Sequence, residues 1–557
     1  MQEVEIENGA AKLTALFNEA GLCRIAFDGS EMLRGLSAPV RDTAWGEIAQ
    51  DSIDCQLERV EAGYEFRRKA RICGNNASVS MTISLLAEGD AFIVAARFLL
   101  QAEEPLVTNR AGFCLLHPLF GLRGTPLFIV HPDGSETQTE FPTAIAPAQV
   151  ARDVAAMRYT IAGVQCDIDF AGEVFEMEDQ RNWSDASFKT YCRPLGLPVP
   201  IRIEAGKQLE QTVEIVLRRQ APQHIEVSDG PLIEKAVLPA ILLAVEPGWI
   251  AKPSVRPLGY VMREKPDNPF QDADLKLLAE LVIESSAPLD LEFVVAAQDD
   301  PQEALSAMAD RLARFNLSPR HVIALPEAYL KSYQPDGEWP PKPGPEDAAK
   351  AARQAFPKAR IGCGMLTYFT EFNRCPPPEN ACDYVTYGTS AIVHAADSSS
   401  VFQTLEALPD IFKSADAIST SKPQRLGLVA IAMRSNPYGA SLAENPDGLP
   451  HTMTANDRRH SGDAGAAFAA AAVMLAAECG IEALCIAAPK GPFGLVDHRG
   501  TPTPLAKLIE HLQRFWAEPV EIRSNGNGRI EMLGKPGRLT AIFAPEAAGL
   551  SFEEDDS

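Results

Sequence analysis

LDLEFVVAAQDDPQEALSAMADRLARFNLSPRHVIALPEAY, residues 289–329, decides the fold. LDLEFVVAA (289–297) is a nearly continuous apolar run of strand length. PQEALSAMADRLARF reads as an amphipathic helix, and HVIALPEAY (321–329) is a second apolar run. Strand, helix and strand in that order make a βαβ unit. Strands that are apolar along their whole length belong in a parallel sheet covered on both faces. The alternation continues through PEDAAKAARQAF, RIGCGMLTYFTEFNR (360–374), CDYVTYGTSAIVHA (382–395), SSSVFQTLEALPDIF and RLGLVAIAMR (425–434). AGAAFAAAAVMLAAECG, ALCIAAP (483–489) and TPLAKLIEHLQRF complete it. Ser400 and Gln403 have capping-box spacing, and Gly480 is placed to close the Ala-rich helix. Roughly seven or eight such units predict a (β/α)8 TIM-like barrel over residues 229–516. An open doubly wound sheet is the alternative, but no Gly-rich phosphate loop opens a helix.

The flanks have a different texture. Residues 1–228 carry short apolar segments between turn signals, among them CRIAFDGSEML, DAFIVAARFLL and FAGEVFEM. VSMTISL and QTVEIVL alternate as half-buried strands do, and VHPDGSE has the proline and Asp-Gly of a turn. An N-terminal antiparallel β-sandwich domain is expected. Residues 517–557 return to strand texture (PVEIRS, RIEMLG, RLTAIFAP), with a turn signal in Asn-Gly-Asn-Gly and a frayed acidic end in SFEEDDS. This predicts a small C-terminal β domain, and the whole is multidomain α/β plus β.

With 557 residues and a formal net charge of −24, the chain has length for a large core but no basic patch for nucleic acid or an anionic membrane. The eleven cysteines are scattered without a CxxC pair, which fits a reducing, cytoplasmic compartment. MQEVEIENG lacks an apolar signal-peptide region, and no apolar run reaches bilayer-spanning length.

In a parallel barrel, catalytic groups stand at the C-terminal ends of the strands. The candidates there are Glu246, Glu327, Glu371 with Asn373, His394, and Arg434 with Asn436. Carboxylates, a histidine and an arginine around one rim can move protons and hold developing charge. Each also has a bland reading as a loop start or a rim salt bridge. HTMTANDRRHSGD (451–463) is a long loop suited to a lid or to plain solvation. No histidine or cysteine spacing matches a metal site, so neither metal nor cofactor is expected. Ser390 in GTSAI lacks the second glycine of a nucleophile elbow.

FEMEDQRNWSDASFKTY (175–191) is too polar for a core strand and too aromatic for an ordinary loop. Extended to FEMEDQRNWSDASFKTYCRPLGLPVP, it closely resembles the signature segment of D-apionate lactonases. AGFCLLHPLFG (111–121), HPDGSETQTEFP (131–142), GMLTYFTEFNR (364–374) and YGTSAIVHAADSSSVFQTLEALP (387–409) extend the resemblance in order through the β region and the barrel. The resemblance implies hydrolysis of a branched sugar-acid lactone, D-apionolactone to D-apionate, by a carboxylic ester hydrolase of apiose catabolism. It also implies the three-part layout just read. The family supplies no residue roles. On chemical grounds the 175–191 stretch is expected to line the pocket for a small polyhydroxylated lactone, through Glu178, Asp179, Gln180, Arg181, Asn182, Trp183, Asp185, Lys189 and Tyr191. Its plain alternative is a polar network tying domains together. Glu371 is read as base or nucleophile and Glu327 or His394 as acid; Arg434, Lys189 or Asn373 would supply oxyanion donors. A glycoside hydrolase using a carboxylate pair, or a carbohydrate-binding protein without catalysis, are the alternative classes.

Overall fold

The computed structural model describes residues 1–557 except 44, 75–76, 221–232, 334–336, 379, 525–527, 544–546 and 555–557. The apolar runs close into a barrel of eight parallel strands. In chain order these are β1 (Ala240–Val245), β2 (Tyr260–Glu264), β3 (Leu289–Val295), β4 (His321–Pro326), β5 (Arg360–Tyr368), β6 (Tyr384–Ser390), β7 (Arg425–Ala430) and β8 (Ala483–Ala487). β8 returns to pair with β1, Ala483 opposite Ala240. Every residue of β3 is buried, because the core lies on one side and helices on the other.

The helices form for local reasons. Asp300 caps Pro301–Arg314 by accepting the N–H groups of Gln302 and Glu303, and Leu305, Met308 and Leu312 form its buried stripe. The Ala-rich Asp463–Glu478 is buried almost all round, as a helix without a polar face must be, and Gly480 follows its end at φ 70°. The expected Ser400–Gln403 capping box is corrected. Asp397 is the cap, and it accepts the Ser400 N–H at 3.0 Å and the Ser400 hydroxyl at 2.6 Å.

The chain divides into two compact units, Met1–Gln180 with Ser187–Glu226, and Arg181–Ala186 with Val227–Ser557. The first holds two nine-stranded antiparallel sheets. Phe27 of one packs edge-on against Phe92 of the other at 5.4 Å, and Phe17 stacks on Phe66 at 5.1 Å, so the inner faces share an aromatic core. Ala77–Glu88 alternates buried and half-buried, as its sequence requires. The second unit holds the barrel and a five-stranded antiparallel sheet. Four strands of that sheet come from the C-terminal segment, and Ile233–Ala236 supplies the fifth, pairing with Val520–Ser524. Gly549–Glu554 is a paired strand, so the acidic end is ordered as far as Glu554; Asp555–Ser557 lie outside the described residues. So does the Asn-Gly-Asn-Gly turn, apart from Gly528. Among the described residues no helix is long and apolar enough to cross a membrane.

Candidate active site

The barrel carries a charged cluster at each end. At the N-terminal ends of the strands, Asp290 accepts from His321 at 2.8 Å and from Arg425 at 2.7 Å. Arg360 and Arg425 share Glu482. Every cation there has a carboxylate beside it, and that end of such a barrel serves stability.

The C-terminal end is built differently. Arg434, just beyond β7, donates from Nε to Glu246 at 2.7 Å and from Nη1 to Glu292 at 3.0 Å. Arg263 bonds Glu292 at 2.6 Å, and Lys265 stands 3.6 Å from Glu246. Burial works against charge on Glu292 and Glu246, but Arg263, Arg434 and, for Glu246, Lys265 outweigh it and hold both carboxyls below the ordinary range. Among the described residues Arg434 Nη2 nevertheless has no hydrogen-bond partner, and it has no exposure to water. Half-buried Trp249 lies beside the guanidinium, 5.9 Å from its ring centre, and packs edge-on to Phe493 at 5.6 Å. Phe493 in turn meets His460 at 5.2 Å. His460, expected in an open loop, is 1% exposed, and burial drops it to about 4.

The ends of β5 and β6 make the other half of the rim. Tyr368 donates its hydroxyl to the Ser435 carbonyl at 2.8 Å, tying β5 to the chain beyond β7. Glu371, in the short helix Phe369–Arg374, is fully buried. One of its oxygens accepts the Tyr368 N–H at 3.2 Å, and the other, Oε1, has no hydrogen-bond partner among the described residues. Burial pushes its carboxyl up, while the Ser332 and Thr367 hydroxyls favour the charged form. Glu327 is half-buried and accepts the Ala297 N–H at 3.1 Å.

Arg181–Ala186 is counted with the barrel unit, and its side chains show why. Arg181, wholly buried, pairs with Asp410 at 2.8 Å. Asn182 accepts from the Asn373 amide at 2.8 Å, and its carbonyl accepts the Thr370 hydroxyl at 2.7 Å. Trp183 packs edge-on to His394 at 5.3 Å, with Arg374 over its ring at 4.9 Å. Asp185 Oδ2 lies 2.6 Å from His394 Nδ1. The six residues thus deliver a carboxylate to the strand-end histidine, and every group around them anchors that delivery.

The remainder of the 175–191 stretch belongs to the β unit. Tyr191 donates to Glu176 at 2.7 Å and lies 3.0 Å from Glu178. Lys189 and Gln180 also bond Glu178, Asp179 accepts the Ala146 N–H, and Arg110 stacks on Tyr191 at 3.9 Å. These groups satisfy one another. The structure therefore brings together His394, Asp185, Trp183, Asn182 and Asn373 at one place and Arg434 with Glu246 at another on the same barrel end; Glu178, Asp179, Lys189 and Tyr191 sit in the internal network. Glu292, Arg263, Lys265 and Trp249 were missed by sequence reasoning. The only trace of the first was its place as one of two acids, with Asp290, inside a run that is otherwise apolar.

The N-terminal-domain profile of D-apionate lactonases matches residues 2–220, and the profile of their TIM barrel domain matches residues 251–516. A D-apionate lactonase from Brucella anthropi is 36% identical over 514 residues, covering 89% of this chain and 84% of that protein. Among solved structures, a β-glucuronidase from Ruminococcus gnavus aligns at TM-score 0.31 and 9% identity, over 79% of this chain and 68% of that one. An α-galactosidase from Geobacillus stearothermophilus aligns at TM-score 0.26 and 9% identity, over 98% and 93%. Likenesses at that level carry no argument.

Proposed function

The chain belongs to the D-apionate lactonase family, and from that premise we propose that it hydrolyses D-apionolactone to D-apionate at the C-terminal end of its barrel, with His394 as the proton carrier. The supporting observation is the 2.6 Å contact between His394 Nδ1 and Asp185. A carboxylate on Nδ1 fixes the tautomer with its proton there and leaves the Nε2 lone pair as a general base. The side chain keeps 28% exposure, enough for water and substrate to reach it.

Water attacks the lactone carbonyl carbon while His394 Nε2 takes its proton. The carbonyl oxygen becomes negative in the tetrahedral intermediate, and Arg434 Nη2 is the donor left over to meet it. Lys189 and Asn373 are already bonded to Glu178 and Asn182. When the ring C–O bond breaks, the imidazolium returns the proton to the departing ring oxygen, and the new acid ionises to solvent. Trp183, 7% exposed and covered by His394 and Arg374, positions the histidine; half-buried Trp249 is the better surface for a sugar's apolar face. A cytoplasmic location belongs to the same proposal and is supported by the eleven scattered cysteines, which contain no CxxC pair.

The second reading makes Glu371 the base, and its unpartnered Oε1 favours it. Acid release from D-apionolactone in weak buffer separates the two. Under the histidine reading, His394→Ala loses on the order of 10²–10⁴ in kcat, and Glu371→Gln stays within a few-fold of the native chain. The reverse pattern moves the base to Glu371.

A further inference from the structure

The rim cluster around Arg434 has a cation to spare. Two buried carboxylates, Glu246 and Glu292, face three cationic side chains, Arg434, Arg263 and Lys265. Asp267 approaches Lys265 only to 4.0 Å and is 76% exposed, so water screens it. Glu264 is engaged elsewhere, by the Phe270 N–H at 3.1 Å and Arg311 at 3.5 Å. Apart from exposed Asp267, the cations at this barrel end outnumber the carboxylates by one, with half-buried Lys265 as the third cation. The Arg434 side chain is 4% exposed, and its Nη2 finds no acceptor among the described residues. Ser435 Oγ, one residue on, is also shielded from water and unpartnered. A buried guanidinium N–H and a buried hydroxyl without acceptors are what a site keeps for an incoming anion.

The charge has a chemical match in the reaction. A lactone is neutral and offers only a carbonyl dipole. Hydrolysis adds the oxygen of water to the carbonyl carbon, breaks the ring C–O bond and yields a carboxylate of full charge once its proton has left to solvent. Hydrogen bonds from arginine to a carboxylate are about twice as strong as those to a neutral acceptor. We propose that Arg434 Nη2 and Ser435 Oγ form a carboxylate site that holds the sugar-acid product more tightly than the lactone, so that the product inhibits its own formation. The identity of the acid rests on the lactonase reading; the preference for a carboxylate rests on the two unpartnered donors and the excess of cations around them.

Calorimetry on the full chain tests this without turnover. The probes are D-apionate and the alditol in which CH2OH replaces its carboxylate. The acid is expected to bind at least about tenfold tighter, and Arg434→Gln is expected to abolish that preference. Should Arg434→Gln fail to fold, Glu246→Gln serves instead: it removes a balancing negative charge and tightens acid binding several-fold, with alditol binding unchanged. Equal binding of acid and alditol by the native chain overturns the site, and so does Glu246→Gln weakening the acid. A chain that hydrolyses the lactone but shows no acid preference loses the carboxylate site alone. A chain that prefers the acid but hydrolyses no lactone loses the lactonase reading and keeps the site.

Discussion

Asp185→Asn removes the charge that orients His394 while keeping the side chain's size. The contact is 2.6 Å long, the short range of charge-assisted bonds, and its members are 28% and 14% exposed. Bonds to charged groups contribute about 1.5–3 kcal/mol. Partial exposure screens the pair, so about 2 kcal/mol is a fair central figure. At 1.36 kcal/mol per decade, kcat should fall by roughly thirtyfold. Asp185 reaches substrate only through the imidazole, so KM should hold while kcat drops. The assay is initial-rate acid release from D-apionolactone by the native chain, Asp185→Asn, His394→Ala and the double variant. Groups that act as one unit are non-additive, so Asp185→Asn should cost almost nothing once His394 is gone. An equal loss in both backgrounds, or a loss confined to KM, would refute the orienting role and return Asp185 to direct substrate contact.

Arg181→Met should cost about 3–5 kcal/mol in urea unfolding, because it removes one member of a buried ion pair. Restoring most of that stability with Asp410→Leu in the same chain would confirm the cause; no recovery would point to other partners of Arg181. The fold keeps His460 neutral down to about 4, against an ordinary 6.5, so between those values the unfolded chain takes up a proton that the fold refuses. Its stabilisation is complete above pH 6.5 and shrinks as the pH falls toward 4, by on the order of 3 kcal/mol. Unfolding of the native chain and His460→Phe, compared across that window, should show a shallower loss in the variant; parallel curves would exclude the histidine.

The barrel was legible because strands covered on both faces are buried along their whole length, as β3 is, and so read as apolar runs broken only by residues such as Asp290 and Glu292. Rim residues such as Glu371, His394 and Arg434 were legible because chain order alone puts them at strand ends. Glu292 and Arg263 were not, since a charge within an apolar strand is tolerated only when another strand supplies its partner, and that pairing is set by barrel closure. Asp185 was read as one polar group among many in its stretch. Its partner stands 209 positions away, and nothing local separates it from Glu178, whose partners lie in its own sheet.

The placement of Arg181–Ala186 bears on how such proteins can be recombined. A hybrid gene joined near the end of the β region would take its barrel from one parent and its Asp185 from the other. Where the parents differ at Asp185 or His394 the mismatch would appear as lost turnover, and where they differ at Arg181 or Asp410 as lost stability. Shuffling within the family should therefore transfer these six codons with the barrel, as a graft into the upstream half, and not treat them as part of the sequence that surrounds them.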